Sequence, residues 1–538
     1  MPLRLDSLLP EQFGPLQGVR VLSTGTIVAQ PFAAALAAEM GAEVIQIERP
    51  VIGDVTRGIG VHNAGEGGLQ LNSLWLQDRR NTFSITLDFS SPEGRELFLR
   101  LIPSVDIWME SSKAGTYVNW GLDDATILAA NPSIVITHVS GYGQTGHPNY
   151  LNRASYDPIG QAFGGTMAIT GSPEPEPPIT ARPLAADYTT AQMCLWSTLA
   201  AYIHALRTGE GQAIDLAQYE AVHKVMSGTM VEYFETGAVP QRIGNQSGRS
   251  QPFGTYDAAD GWVAIAALGT VFDRVCSVLG LNASEEWLHE ARTNLESIPA
   301  IEFDATLRGW LEERTVEEIV ETMNTAQVGC SAVMTPKDTA DDPHYQAREM
   351  HTEWEDLQLG RKIKGIGIVP KFSETPGKIW RGSTPLGHDN DLVYKHYLGL
   401  DDAGKLGPRQ LDLAKKQSTS ESLRDDALNR LRIAEAAFRE ANARVARADR
   451  DLERTTVRAP YDGRVRSERV DVGQFVNRGS SIAMLYATDY AEVRLPVHDD
   501  ELAFLDLQLG GKTGEGITQP IALLSARFAG THAGSPSG

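Results

Sequence analysis

The chain has 538 residues, 42% of them hydrophobic and 22% charged, with a formal net charge of -21. That is ordinary globular composition, long enough for several domains of roughly 100–200 residues each, and its acidic balance disfavours a nucleic-acid partner. Three distant cysteines (Cys194, Cys276, Cys330) form no C-x-x-C, and the twelve histidines give no H-x-x-x-H pair on a helix, so neither a disulfide framework nor a metal site is expected.

The first residues, Met-Pro-Leu-Arg-Leu-Asp-Ser, show no apolar signal core, and no run of ~18 apolar residues follows. A cytoplasmic protein without a membrane span is the expectation. Residues 15–48 read as strand, helix, strand. "GVRVLSTG" and "EVIQIER" flank the alanine-rich "QPFAAALAAEMGA", which Pro31 opens and Gly41 closes. The alternation continues through "TFSITLDF", a helix capped by Ser91, "VDIWMES" and "SIVITHVSGYG", which predicts a parallel sheet with helical crossovers. Residues 188–207 form an apolar helix expected to be buried on most sides. The texture then changes, so a large Rossmann-like domain over 1–225 is expected to be followed by a small α+β domain over 226–345. Residues 346–400 are expected to return to the large domain. After a linker at 401–424, Leu431, Phe438, Val445 and Leu452 recur every seventh residue, with Ala434, Ala441 and Ala448 at the complementary position. This predicts a coiled-coil helix over 425–455. Residues 421–470 hold twelve arginines and no lysine, a break from the mixed usage before them. A β-rich segment fills 456–510, and 511–538 has the composition of a disordered tail.

Several residues invite chemistry. "STGTIVAQP" has one glycine where a dinucleotide fingerprint needs three, so Glu48 reads as a strand-end carboxylate, paired with Arg49, rather than as a ribose ligand. Asp187 stands directly before the apolar helix. It reads either as an N-cap or, in the same geometry, as a carboxylate held ionised and nucleophilic. "GQAFGGTMAITG" reads as a glycine-permitted turn or a loop close to a ligand. Lys113 follows a strand end, where open α/β sheets bind ligands. Arg79 and Arg80 read first as a surface pair and second as phosphate contacts, and "RKIKGIGIVPKF" as a basic edge strand or an anion contact.

Taken in order, "GPLQGVRVLSTG", "AEMGAEVIQIERP", "NTFSITLDFSSPEGRELFLRL", "VSGYGQTG", "YDPIGQAFGGTMAITG", "RTGEGQAIDLAQYEAV" and "VPKFSETPGKIWRG" resemble the class III CoA-transferases (CaiB/BaiF type) over roughly residues 13–400. "FGPLQGVRV" and "PGKIWRG" are more similar to the L-carnitine CoA-transferase branch than to the formyl-CoA branch. The resemblance implies an α/β, interlocked-homodimer fold with a Rossmann-like large domain and a small α+β domain. It implies transfer of CoA between an acyl-CoA and a free carboxylic acid, with coenzyme A as substrate and no further cofactor. Asp187 matches the family nucleophile, which passes through anhydride and thioester intermediates. Lys113 and Arg49 match CoA contacts. A second arginine of the family's CoA set is replaced in the segment Asn119-Trp120, and the formyl-CoA enzyme's first-turn His and Gln are Thr26 and Val28 here. The implied substrates are carnitine- and betaine-type acids.

Residues 425–505 resemble something else, the second hairpin helix and returning lipoyl-like half of periplasmic adaptor (membrane-fusion) proteins of efflux pumps. They read as a fragment, expected to be dispensable for catalysis. The competing functional reading is an envelope efflux adaptor fragment fused to a catalytically inert CoA-binding protein.

Overall fold

A computed structural model describes residues 6–58, 61–64 and 69–400, together with 463–470, 481–487, 492–493 and 526–527. The chain forms two compact units, Met1–Gln417 and Ser418–Gly538.

In the first unit six strands build one sheet. They are β1 (Arg20–Ser23), β2 (Glu43–Glu48), β3 (Thr82–Thr86), β4 (Ile107–Glu110), β5 (Val135–Ser140) and β6 (Gln212–Ala217). Their order is β3-β2-β1-β4-β5-β6, and every neighbouring pair is parallel. This is the doubly wound order of nucleotide-binding folds, in which the chain reverses direction across the sheet between β1 and β4 and opens a crevice at the carboxyl ends there.

Period-two alternation sorts the strand residues onto two cores. Leu22, Ile45, Trp108 and Ile136 pack on one face with Phe83, Phe98 and Tyr394. Val21, Val44, Ile107 and Val135 face the other way. They meet the alanines of α1 (Ala29–Glu39) and, from the long helix Ala185–Thr208, Ala191, Cys194 and Tyr202. Both faces of β1 to β4 are buried, and the helices on either side enclose even the polar residues of these strands, such as Ser23, Gln46 and Ser84.

The long helix departs from expectation. It buries one stripe, Thr190, Ala191, Cys194, Thr198, Ala201 and Ala205, whereas Trp196, Ile203 and Leu206 are 62, 47 and 53% exposed. A helix that is apolar all round needs partners on every side, and this chain supplies them on one.

Residues 253–332 fold around a separate core of Tyr256, Phe272, Phe303, Leu307, Ile319 and Met323. Strands Phe253–Ala258, Gly261–Ala266 and Gly329–Ala332 form an antiparallel sheet there. A capping box of Thr315 and Glu318 opens its last long helix, Val316–Thr325. The chain then packs again on the large sheet. Arg381 forks onto Asp389 at 3.0 and 2.9 Å, and Asp389 also accepts the N–H of Ser84 in β3 at 2.8 Å.

Three buried charges correct the sequence reading. Arg79 and Arg80 are not a surface pair, being 3 and 2% exposed. Arg79 binds Asp54 at 3.2 Å, and Arg80 pairs with Glu39 and donates to the Ile366 carbonyl at 2.6 Å. Glu48 pairs with Arg57, at 2.7 Å through both oxygens, rather than with Arg49. Arg79 and Arg80 lie within reach of carboxylates 25 and 41 residues away, a proximity that local patterning does not encode.

In the second unit, Gly463–Glu468 pairs antiparallel with Ala483–Ala487 across an irregularity at Val465/Ser467. The linker at 401–424, the heptad seam at 425–455 and nearly all of 511–538 lie outside the described residues. No described helix is long and apolar enough to cross a membrane.

The Arg381–Asp389 clamp carries a prediction. Arg381→Ala leaves Asp389, 4% exposed, as an uncompensated buried charge, so stability at neutral pH should fall by about 3–5 kcal/mol. Urea unfolding of variant and wild type measures it, and a loss below ~0.5 kcal/mol would show that the clamp is not structural.

Candidate active site

Six segments converge on the crevice at the carboxyl ends of the sheet. A cleft of about 90 Å³ is lined by Thr26, Ile27, Val28 and Ala29 after β1, Ser111 after β4 and Val139, Ser140 and Gly141 at the end of β5. Ser155, Tyr156, Asp187 and Gln218 complete it. The three helices that supply Asp187 and its neighbours are α2 (Asp157–Gly164), α3 (Ala185–Thr208) and α4 (Gln218–Lys224).

Asp187 lies in the first turn of α3, 6% exposed. It is not the N-cap. Leu184 holds that position, with φ +133° and no side-chain hydrogen bond of its own. The capping carboxylate comes from α2, where Asp157 Oδ1 accepts the N–H groups of Ala186 at 2.8 Å and Asp187 at 3.2 Å. Gln161 fixes Asp157 in turn, donating to Oδ2 at 2.7 Å, while its own carbonyl accepts the Ala181 N–H at 2.8 Å. With the helix end satisfied from elsewhere, the Asp187 carboxylate is free to face the cleft.

The environment of Asp187 is poor in positive charge. Burial, with the negative charge of Asp157 behind it, pushes its carboxyl up to about 7, and the hydrogen bond from Gln218 opposes the rise. Gln218 Nε2 donates to Asp187 Oδ1 at 2.5 Å, and Gln218 Oε1 accepts the Ser155 hydroxyl at 3.0 Å.

"GQAFGGTMAITG" is mostly helical rather than a turn, with α2 running to Gly164 and a 3₁₀ turn at Thr166–Ile169. Its glycines serve close helix contact. A Cβ on Gly160 would lie 2.7 Å from Gln218 Cδ, and one on Gly164 would lie 2.5 Å from Val222. The missing side chains let α2 press against α4 and set Gln218 beside Asp187.

The opposite wall is a strained turn. Ile27 has φ +73°, a conformation that costs a β-branched residue on the order of 1–3 kcal/mol. It is over-determined by buried partners. The Ile27 N–H donates to Asp54 at 3.1 Å, Arg79 donates to the Ile27 carbonyl, and Asp54 and Arg79 bind each other.

The other residues singled out in the sequence lie apart from this cleft. Lys113 is exposed and lines a separate hollow of about 520 Å³ with His138, Gln144 and Asp215. His138 and Val139 point to opposite faces of β5, so this hollow and the Asp187 cleft flank the same sheet rim. His138 is held between Glu110 at 2.7 Å and Asp124 at 2.9 Å. Burial pushes its imidazole down, but the bonds to Asp124 and Glu110 outweigh it and raise it to about 10, which keeps a cation there at neutral pH. Arg49 is exposed just past β2 and lines neither cavity. "RKIKGI" forms a strand paired with His351–Asp356 and lines a third hollow beside Asp78 and Tyr188.

Sequence reading missed Asp157, Gln218 and the Ile27 turn. The Asp-Pro pair at 157–158 was a legible helix-start signal. Gln218, one residue past a strand, carried none.

Comparison with known proteins places this arrangement. The profile described as CoA-transferase family III matches residues 16–390. The bile acid CoA-transferase BaiK of Clostridium scindens is 38% identical over 392 residues, covering 71% of this chain and 86% of that protein. A crystal structure of a CAIB/BAIF family protein from Brucella suis is 29% identical, with a TM-score of 0.61, covering 72% of this chain and all of that one. Rv3272 of Mycobacterium tuberculosis, 22% identical with a TM-score of 0.61, shares the fold over 71% of this chain and 99% of its own.

The raised carboxyl of Asp187 sets a stability test. Its folded value lies above the ordinary carboxylate value near 4, so ionisation opposes folding. The penalty is absent below about pH 4, grows as pH rises, and is complete above about 7. Asp187→Asn should therefore stabilise the protein at pH 8 by on the order of 2 kcal/mol, the gain vanishing toward pH 4. Denaturant unfolding at the two pH values measures it, and an equal effect at both would contradict the burial argument.

Proposed function

The chain belongs to CoA-transferase family III and is an enzyme that moves CoA between an acyl-CoA and a carboxylic acid; from that premise we propose that Asp187 is the carboxylate that carries the acyl group. The observation that carries this reading is a buried carboxylate facing a cleft at the sheet's switch point, relieved of capping duty by Asp157. One oxygen of ionised Asp187 attacks the thioester carbon, the C–S bond breaks, and CoA leaves as thiolate. The resulting anhydride is attacked at the aspartyl carbon by that thiolate, which releases the first acid and leaves an aspartyl thioester. The acceptor acid reverses the two steps. No net proton, metal or redox group enters this scheme, with coenzyme A itself the substrate. An aspartate near 7 suits it, because a large share of it is ionised at neutral pH and that share is more nucleophilic than an ordinary carboxylate.

Lys113 and Arg49 are proposed to hold the CoA nucleotide. The loop after β4 gives Ser111 to the Asp187 cleft and Lys113 to the hollow across the rim, so one extended ligand crossing that rim meets both. A homodimer is proposed to cover the exposed apolar face of Trp196, Ile203 and Leu206. A cytoplasmic location accords with CoA-ester chemistry and with the free thiols of the three cysteines.

For the acid, betaine-type substrates such as carnitine with crotonobetainyl-CoA are proposed, on the likeness of "FGPLQGVRV" and "PGKIWRG". Both segments pack against the end of α1, where Gly14 abuts Met40 and the Lys378 N–H bonds the Glu39 carbonyl, and neither lines the cleft. A second reading, a steroid-type carboxylate, is favoured by the 38% identical bile acid enzyme.

Asp187→Ala and Asp187→Asn should abolish transfer by several orders of magnitude in folded protein, and hydroxylamine should trap the acyl group at residue 187 of the wild type. Normal turnover by either variant would sink the assignment. Lys113→Ala and Arg49→Ala should raise the KM for acyl-CoA more than they lower kcat, and unchanged CoA affinity in both would make them plain surface charges. Initial rates with carnitine, cholate and oxalate as acceptors rank the substrate readings. Carnitine fastest supports the first, cholate fastest the second, and oxalate fastest would reject both.

A further inference from the structure

Resting on the assignment of Asp187 as nucleophile, we propose that Gln218 is a further catalytic residue, whose side-chain N–H binds the aspartyl oxygen that turns into an oxyanion each time the aspartyl carbon is attacked.

The two oxygens of Asp187 are not equivalent. Oδ1 accepts Gln218 Nε2 at 2.5 Å, and among the described residues no side-chain donor reaches Oδ2. An oxygen tied to a donor is the poorer nucleophile, so Oδ2 attacks the acyl-CoA and becomes the bridging atom of the anhydride. Oδ1 then remains as the aspartyl carbonyl oxygen. When CoA thiolate attacks the aspartyl carbon, the new C–S bond forms as the C=O electron pair moves onto Oδ1. The pair then returns, the Cγ–Oδ2 bond breaks, and the first acid leaves as its carboxylate, taking Oδ2 with it. The acceptor acid attacks the same carbon in the later half, again placing charge on Oδ1, and CoA leaves as thiolate. Atoms and charge balance in both steps without any proton donor.

A donor serves such a step when it is already in place, because it then costs no reorganisation as charge develops. Gln218 meets that condition. Its carbonyl accepts the Ser155 hydroxyl at 3.0 Å, and its amide faces Asp187, which in the ionised, nucleophilic form only accepts, so that form sets the amide N–H toward Oδ1. Its stem is wedged against Gly160, where a Cβ would stand 2.7 Å from Cδ. Gln218 itself is 5% exposed, so water competes poorly for the bond.

Gln218→Met keeps the length and removes the donor. Turnover should fall by about 100-fold or more, while the KM for acyl-CoA stays within roughly threefold. Because loss of the bond also raises the Asp187 carboxyl further, and the nucleophile must be ionised, the acid limb of the kcat/KM profile should move to higher pH. Rapid-quench mass spectrometry of the peptide carrying residue 187 locates the fault. Wild type should show the aspartyl–CoA thioester in the steady state, and the variant should instead accumulate the acyl anhydride with free CoA. Gly160→Ala leaves the glutamine in the chain, suits a helix, and displaces the amide. It should show the same slow thioester formation and serves if Gln218→Met fails to fold. Asp187→Asn, measured alongside, separates the two claims. If it is inactive while a folded Gln218→Met or Gly160→Ala protein turns over within threefold of wild type with an unmoved acid limb, the role given to Gln218 is wrong and Asp187 stands. If Asp187→Asn turns over normally, both fall.

Discussion

The carboxylate of Asp157 fixes what Asp187 is able to do. A helix start leaves backbone N–H groups without partners, and a short acidic side chain in the first turn ordinarily takes one of them. Here α2 delivers Asp157 to that place, and its Oδ1 accepts two of those groups, those of Ala186 and Asp187. The same negative charge, close behind Asp187, adds to burial in holding the second carboxyl near neutrality. Capping of the helix, and the orientation and tuning of Asp187, thus follow from one side chain. That side chain is itself held by Gln161, which ties it to the segment at Ala181 leading into α3.

The rest of the site is the consequence of bringing α2 that close. Gly160 and Gly164 give up their side chains so that α2 contacts α4 near Gln218 and Val222. Opposite them the sheet supplies a turn no sequence propensity would choose, with Ile27 in the left-handed region. Asp54 and Arg79, both buried, hold it there through its N–H and carbonyl. Strain on one wall and missing side chains on the other are both tolerated because a large, doubly covered parallel sheet lies beneath.

Much of this fold was legible. The apolar runs of β1 to β5, Ser91 as a helix cap and Gly41 past the end of α1 are local signals, and each stands where its chemistry placed it. The apolar long helix was read correctly as a helix and wrongly as buried on most sides within this chain, because composition records apolar area but not which faces the fold covers. Arg79, Arg80 and Glu48 were misread for a related reason. A charge in sequence looks solvated, or paired with its nearest neighbour, until the chain folds its real partner beside it, as Ile366 lies beside Arg80 and Arg57 beside Glu48.

The sequence by itself determined the family, the alternation of strand and helix, and Asp187 as the acidic residue to watch, since each rests on contiguous pattern and residue chemistry. Only the tertiary structure decided that Asp187 is not a cap, that Gln218 rather than a cation faces it, and that Lys113 lines a different hollow across the sheet rim. Those facts depend on through-space distances of a few ångströms between segments 30 or more residues apart. Hydrogen bonds and desolvation act over those distances whatever the separation along the chain, so the site exists only once the sheet has set its helices against one another.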